Sequence, residues 1–208
     1  MTQTSPNSNP AFPHGEEGRA MLERMNAGHH KELSEWSFEH VTIAPDAFAL
    51  DIGCGGGANV ARLLTMCPQG NVSGIDHSPT SVEMSNEVNA EAIEAGKCDI
   101  FQADVADLPF GDDTFEIVTA FETIYFWNNV KFSLLEIQRV LTPGGCLLIA
   151  NEVDGEDEKH YQMEKDYSGL KVYTGTYLKE LLESLGFKNV SIITADDDHD
   201  WLNVIAYK

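Results

Sequence analysis

The chain has 208 residues, 42% of them hydrophobic, which is enough for one substantial core and too few for two. Its 34 acidic and 13 basic residues give a formal net charge of −21. Such a surface repels phosphate backbones and anionic lipid headgroups, so we expect neither nucleic acid nor membrane as a partner. The acidity either keeps the protein soluble or attracts cationic substrates.

The four cysteines are scattered along apolar stretches without close pairs, unlike a disulfide framework or a zinc site. No apolar run approaches the roughly 18 residues of a membrane helix. The first 15 residues lack the basic and apolar regions of a signal peptide. We therefore expect a cytoplasmic protein with reduced thiols.

The N-terminal part of the chain divides into two pieces. Residues 1–15 are rich in Ser, Asn, Pro and Thr, and we expect them to form a disordered tail. Between residues 18 and 40, apolar side chains recur at spacings of three and four, which predicts an amphipathic helical segment with a break near Gly28. Residues 16–44 are thus predicted to be an addition to a core at 45–208, and 16–208 to form a single domain.

The core alternates apolar strand-like and amphipathic helix-like segments, which favours βαβ units and a mostly parallel sheet. Strands are predicted at 47–52, 72–76, 99–103, 116–121, 146–151, 190–194 and 201–207, and helices at 59–66, 80–95, 131–140 and 176–185. Ser78 and Thr174 are predicted helix N-caps, and Gly96 and Gly186 lie where helices end.

Residues 49–59 (ALDIGCGGGAN) form an apolar strand that runs into a glycine-rich turn and a helix. Without side chains at Gly53, Gly55 and Gly57, the backbone can turn sharply and let a ligand lie against its amides. Asp76 ends the next strand, where a carboxylate can accept hydrogen bonds from both ribose hydroxyls. The two features predict an adenosine-containing cofactor without choosing between nicotinamide and other adenosine cofactors. His77 either packs on the nucleoside or is a loop residue without a functional role.

From residue 48 onward the chain resembles the class I S-adenosylmethionine-dependent methyltransferases. The similarity rests on 51–57 (DIGCGGG), 74–78 (GIDHS), 102–110 (QADVADLPF), 115–121 (FEIVTAF) and 134–145 (LLEIQRVLTPGG). A dehydrogenase would have the glycines and Asp76, but it has no reason to carry the third and fifth of these motifs.

The resemblance implies an α/β fold: a Rossmann-like, seven-stranded, mostly parallel sheet with helices on both faces, a last antiparallel strand and an N-terminal helical lid. It implies S-adenosylmethionine as cofactor, with Asp104 at the adenine amino group and the amide of Val105 at the adenine N1. The remaining cofactor-binding residues that it implies are Asp51, Gly53, Cys54, Gly55, Gly57, Asp76, His77 and Phe121.

A sulfonium methyl is already electrophilic, so the protein need only bind it, align a nucleophile and exclude water. Residues 122–127 (ETIYFW) follow the fourth strand, and we expect Tyr125 and Glu122 to be catalytic groups at the acceptor. Plain core packing is the alternative for these aromatics. Further expected substrate-binding residues are His29, His30, Trp36, Phe126, Trp127 and Tyr173. The histidines follow no metal-ligand spacing, so no metal is expected.

The sequence thus predicts methyl transfer to an O, N or C nucleophile of a small organic acceptor, because the variable region at 154–170 is short. Residues 121–124 (FETI) depart from the (Asp/Asn)-Pro-Pro-(Tyr/Phe) motif of DNA amino-methyltransferases. Two alternatives stay open. One is a regulatory protein that binds S-adenosylmethionine without turnover. The other is a nicotinamide-dependent oxidoreductase, although no proton-relay pair is recognisable. Oligomeric state cannot be predicted.

Overall fold

A computed structural model describes residues 9–167, 169–195 and 199–208 of the protein. Seven strands form one sheet in the order β3-β2-β1-β4-β5-β7-β6. Strands β1 to β5 run parallel, and β7 is antiparallel to both of its neighbours. The strands are β1 (Phe48–Ile52), β2 (Asn71–Asp76), β3 (Cys98–Gln102), β4 (Phe115–Phe121), β5 (Leu141–Asn151), β6 (Lys188–Thr194) and β7 (Leu202–Tyr207). This architecture confirms the predicted fold class.

The helices flank the sheet between the strands. They are α1 (Gly15–Ala27), α2 (His29–Phe38), α3 (Ala58–Met66), α4 (Pro79–Val88), α5 (Ala90–Glu94), α6 (Val130–Val140), α7 (Gln162–Asp166) and α8 (Gly175–Ser184). The Ser78 and Thr174 side chains accept hydrogen bonds from the amides three residues later, which confirms both predicted N-caps.

The single helix predicted at 80–95 is two helices in the structure. Asn89 leaves the helical conformation, and its side-chain amide donates hydrogen bonds to the carbonyl oxygens of Ser85 and Gly57. The break therefore secures the glycine-rich turn, which is a tertiary contact that helix periodicity cannot predict.

The N-terminal segment breaks between α1 and α2 at Gly28, as predicted. Residues 9–15 differ from the expected tail, because Pro13 is buried and its carbonyl accepts a hydrogen bond of 2.5 Å from the Ser78 hydroxyl. The amide of Gly15 also donates to Thr80 Oγ1 at 3.3 Å. These contacts attach the segment to the start of α4. Residues 1–8 of the predicted tail lie outside the described residues.

The sheet is covered on both faces, as a largely parallel sheet must be. Alternate residues of β1 and β4 face opposite layers: Leu50 and Val118 pack with Leu134 of α6, and Ala49 and Ile117 pack in the layer that includes α3. The two layers fix the positions of the strand ends from which the site is built. Among the described residues, no helix is long and apolar enough to cross a membrane.

Neighbouring leucines of α6 test how much this core contributes to stability. Leu134 is fully buried, whereas Leu135 is 37% exposed. We expect Leu134→Ala to lower the free energy of unfolding by about 2–5 kcal/mol, because it leaves a cavity in the core. Leu135→Ala is the matched control and should cost less than about 1 kcal/mol. Urea unfolding followed by circular dichroism measures both, and equal losses would contradict the assigned packing.

Candidate functional site

A cavity of about 360 Å³ opens at the carboxyl ends of β1, β2, β4 and β5. The strand order reverses between β1 and β4, and open α/β sheets bind ligands at such a switch point. The volume is near the lower end of the range for small-molecule sites. The wall comprises the glycine-rich turn, residues that follow the strands, and parts of α1 and α2.

The glycine-rich turn between β1 and α3 needs glycine for steric reasons. Gly53 has a φ of 67°, and a Cβ there would collide with the Thr123 side chain. Gly57 has a φ of 83° and precedes α3 directly. The Cys54 amide donates to the Ile75 carbonyl at 2.9 Å, which joins the turn to β2. The turn therefore presents bare backbone to the cavity.

Helix α1 lies over this turn. Its Asn26 side-chain amide donates to the Gly56 carbonyl at 3.0 Å, and Leu22 and Met25 also line the cavity. The residues before α1 extend the cover, because Pro10 and Pro13 belong to the wall. The N-terminal segment is thus the roof of the cavity.

Asp76 is held rigidly at the end of β2. Its two carboxylate oxygens accept hydrogen bonds from the amides of Gly55 at 3.0 Å and Ser78 at 2.8 Å. The side chain is largely buried but lines the cavity, and burial raises its pKa. Each oxygen keeps a lone pair for a further donor. The two hydroxyls of a ribose fit this fixed acceptor pair.

Asp51 lies beneath the cavity rather than in its wall. Its carboxylate is buried and accepts a hydrogen bond of 2.7 Å from the Thr119 hydroxyl. Burial raises its pKa to about 7, the Thr119 hydrogen bond opposes this rise, and the nearby Asp76 adds to it. Gly57 is likewise absent from the wall. These two predicted residues are not part of the wall of the described cavity.

The turn after β3 supplies the predicted adenine-binding residues. Asp104 and Val105 both line the cavity, and Asp104 Oδ1 accepts a hydrogen bond from the Ala106 amide at 2.8 Å. His77 lies near them with its ring centroid 5.2 Å from that of Phe12. The buried Phe121 at the end of β4 lines the opposite wall.

Glu122 follows β4 with a φ of 54°, which is unusual for a residue that is not glycine and is often found at functional sites. Its Oε1 accepts hydrogen bonds from the Tyr125 hydroxyl at 3.0 Å and from the Glu152 amide. Burial, with a smaller contribution from the Glu152 carboxylate, raises the Glu122 pKa to about 8. Burial also raises the Tyr125 pKa well above its ordinary value.

Glu152 lines the cavity beside Glu122, and sequence reasoning missed it. Its Oε1 is buried, accepts no hydrogen bond from the described residues, and lies 3.9 Å from His30 Nε2. One polar atom each from His30, Glu122 and Glu152 lie within 4.8 Å of one another. Glu152 directly follows β5, which pairs with β4, so the adjacency of these strand ends was the available signal.

Most predicted acceptor-side residues reach the cavity. Glu122, Tyr125, Phe126, Trp127 and His30 line it. Two predicted aromatics lie elsewhere among the described residues. Trp36 packs on His40 and Trp201, and Tyr173 stacks on Tyr177, so both serve packing where an acceptor contact was predicted. The side chain of His29 lies outside the described part of the structure.

Comparison with known proteins places this geometry in a family. A family described as "Methyltransferase domain" matches residues 50–149. A solved S-adenosylmethionine-dependent methyltransferase from Aquifex aeolicus has a TM-score of 0.70 at 18% identity and covers 91% of this chain and 97% of its own. Another similar structure is a chain in the complex of the Haloferax volcanii Trm112 methyltransferase activator with a methyltransferase. It has a TM-score of 0.81 at 19% identity, and the match covers 91% of this chain and 93% of that one.

Residues 50–149 thus match a methyltransferase domain, and the fold of the chain is that of solved S-adenosylmethionine-dependent methyltransferases. S-adenosylmethionine is therefore the cofactor that the domain implies. The glycine-rich turn and Asp76 fit it, because they offer a backbone without side chains and a fixed carboxylate, as an adenosine needs.

The curated relatives differ in what they are named for. The sterol 4-C-methyltransferase strm-1 of Caenorhabditis elegans is 30% identical over 60% of this chain and 38% of its own length. The O-methyltransferase cnsE of Penicillium expansum is 30% identical over 69% of this chain and 52% of its own. The chain thus spans between a third and just over half of these two relatives, and they do not fix its acceptor.

The raised pKa of Glu122 predicts a pH dependence of the protein's stability. The pKa is about 8 in the folded protein, against about 4.3 for an unperturbed glutamate. Between these values the unfolded chain releases a proton that the folded protein retains, so stability contributed by the protonated group is lost as pH rises. The glutamine side chain in the Glu122→Gln variant cannot ionise. The free energy of unfolding of this variant should therefore fall less between about pH 5 and pH 8 than that of the wild type.

Urea unfolding at several pH values in this interval measures the difference. Glu156→Gln, an exposed residue outside the cavity wall, is the matched control and should follow the wild type. Parallel curves for the wild type and Glu122→Gln would contradict the raised pKa.

Proposed function

We propose that the protein transfers the methyl group of S-adenosylmethionine to a small organic acceptor. The observation that carries the proposal is one cavity with two chemically different ends. The glycine-rich turn and Asp76 form a nucleoside-binding end, and Glu122, Tyr125 and Glu152 form a polar end that no cofactor-binding motif requires.

The cofactor half of the proposal assigns contacts residue by residue. Asp76 would accept from the ribose hydroxyls, Asp104 from the adenine amino group, and the Val105 amide would donate to the ring. The bare backbone of Gly53 and Gly55 would lie against the rest of the cofactor. When bound, the cofactor supplies a methyl group on a positively charged sulfur.

The protein's own contribution is alignment and exclusion of water. The side chains of Phe126 and Trp127 form part of the wall beside Glu122, and Trp127 Nε1 donates to Thr123 Oγ1 at 3.4 Å, which fixes the indole. Helices α1 and α2 cover the opposite side. The acceptor would therefore be held between a rigid strand end and a helical roof.

Glu122 is the group suited to take a proton from the acceptor. A carboxyl whose pKa is about 8 is mostly protonated at neutral pH, but its ionised form is a stronger base than an ordinary carboxylate, and the ionised fraction grows as the pH rises towards 8. The Tyr125 hydroxyl donates to Glu122 and has a strongly raised pKa, so it would position the carboxylate while remaining protonated. The sequence predicted a catalytic role for both residues. In this proposal Glu122 takes the proton and Tyr125 positions the Glu122 carboxylate.

Fold alone does not fix the reaction, since a cyclase, SpnF, shares this fold with a TM-score of 0.70. The built acceptor end favours turnover over a regulatory protein that only binds the cofactor. Formation of S-adenosylhomocysteine in the presence of acceptor separates these alternatives.

The first test is calorimetric titration with S-adenosylmethionine, S-adenosylhomocysteine and NADH. We expect roughly micromolar binding of the two sulfur compounds and no binding of NADH. Asp76→Asn should weaken the binding of both sulfur compounds about tenfold to a hundredfold, because charge-assisted hydrogen bonds to the ribose are lost. Asp99→Asn, an exposed residue of β3, is the matched control and should bind like the wild type.

Binding of NADH alone would overturn the proposal and favour an oxidoreductase. Binding of both sulfur compounds without S-adenosylhomocysteine formation on a broad acceptor panel would favour the regulatory alternative.

A further inference from the structure

The acceptor end of the cavity contains two carboxylates, whereas removal of a proton from the acceptor requires only one. Glu122 and Glu152 follow adjacent parallel strands, and the Glu152 carboxylate adds to the rise in the Glu122 pKa that burial causes. The cationic side chains described in the cavity wall, Lys31 and Arg62, contact other groups: Lys31 pairs with Glu35 at 3.6 Å, and Arg62 donates to Asn59 at 3.0 Å.

One acceptor atom in this cluster lacks a hydrogen bond. Glu152 Oε1 is buried, receives none from the described residues, and faces His30 Nε2 at 3.9 Å, which is too long for a hydrogen bond. A buried carboxylate oxygen without a donor is costly. The position therefore suits a ligand that brings its own N–H groups.

We propose that the acceptor is an amine, whose nitrogen binds between Glu122, Glu152 and His30. This inference rests on the proposed function and names its substrate class. A protonated amine offers hydrogen-bond donors in tetrahedral directions, and its charge lets two adjacent carboxylates both remain ionised.

The spacing of the cluster fits a nitrogen better than a metal ion. Its three polar atoms lie within 4.8 Å of one another, and the His30 and Glu152 atoms are 3.9 Å apart. A tetrahedral nitrogen with hydrogen bonds of about 2.8 Å joins acceptors that are up to about 4.6 Å apart. Metal bonds of about 2.1 Å draw neighbouring ligands to about 3.0–3.4 Å from one another.

The reaction moves charge toward these carboxylates. The ammonium passes one proton to a Glu122 oxygen, and the freed nitrogen lone pair forms a bond to the methyl carbon. The methyl–sulfur bond breaks with its electron pair going to sulfur, so the products are a methylated ammonium and a neutral thioether. The positive charge that was on sulfur ends on nitrogen, where Glu152 stabilises it.

A hydroxyl acceptor gains nothing comparable from the same wall. It must lose a proton to become a good nucleophile, and its developing negative charge would lie beside Glu152. The arrangement thus discriminates between nucleophiles by the sign of the charge that each develops.

The test titrates matched amine and alcohol pairs into the protein saturated with S-adenosylhomocysteine. The probes are benzylamine and benzyl alcohol, phenethylamine and phenethyl alcohol, and cyclohexylamine and cyclohexanol. We expect the amine to bind at least about tenfold more tightly in at least one pair, in line with a charge-assisted hydrogen bond. Glu152→Gln should remove that preference, and Glu156→Gln, with its exposed side chain, should keep it.

Alcohols that bind as tightly as amines, or pairs in which neither binds, would overturn the amine assignment. So would a preference that survives in Glu152→Gln. Titration with magnesium and zinc chloride is a further arm, and metal binding that is lost in Glu152→Gln without any amine preference would replace the amine by a metal site. Intact S-adenosylhomocysteine binding in these cases would leave the proposed function standing, whereas its absence would remove both.

Discussion

The carboxylate of Asp76 connects segments that the sequence keeps far apart. It accepts hydrogen bonds from Gly55 in the glycine-rich turn and from Ser78 at the start of α4. The Ser78 hydroxyl in turn donates to the carbonyl of Pro13. One buried acidic group thereby holds the floor of the cavity, the helix beside it and the chain that leads into its roof. Loss of the Asp76 carboxylate would therefore disturb the shape of the site as well as one ligand contact.

The site concentrates carboxylates where burial disfavours their charge. Asp51, Asp76 and Glu122 all have raised pKa values, and burial is the largest cause in each. A protein optimised for stability alone would avoid such groups, because unpaired buried charges are expensive. We propose that this cavity receives a sulfonium at one point and an ammonium at another, and these positive charges would offset those of the carboxylates when the ligands are bound. The overall charge of −21 acts in the same sense by favouring the approach of cations.

Patterns within short stretches of sequence predicted the strands, the helix caps and the glycine-rich turn, because interactions between residues close in sequence determine these features. The alternation of apolar segments predicted the strands, and the glycine-rich turn with Asp76 at the end of the next strand predicted a shared site for an adenosine-containing cofactor. Contacts between distant segments escaped prediction. Composition placed 9–15 in a tail because it could not show that the carbonyl of Pro13 accepts a hydrogen bond from Ser78. Periodicity extended a helix through Asn89 because the bond to Gly57 lies outside any helical pattern.

The predicted acceptor residues show the same limit. Trp36 lies in the predicted N-terminal helical segment and Tyr173 shortly before a predicted helix, and nothing in the sequence separates an aromatic that lines a cavity from one that packs on another ring. Glu152 was missed for a different reason, since each strand end was considered separately. Two carboxylates that follow adjacent parallel strands must lie near each other, so the pair was predictable once β4 and β5 were recognised as neighbours.

The two ends of the cavity depend on different parts of the chain. The proposed cofactor end uses glycines whose backbone geometry the fold fixes, together with one carboxylate. The proposed acceptor end uses the side chains that directly follow β4 and β5, where the Glu122 amide still donates to the Ala150 carbonyl at 2.9 Å. Under the proposed function, a change of side chain at Glu122 or Glu152 would alter the nucleophile that the site accepts, while the turn around Gly53 would continue to hold the cofactor. This separation gives a physical reason why relatives with the same domain carry names as different as sterol C-methyltransferase and O-methyltransferase.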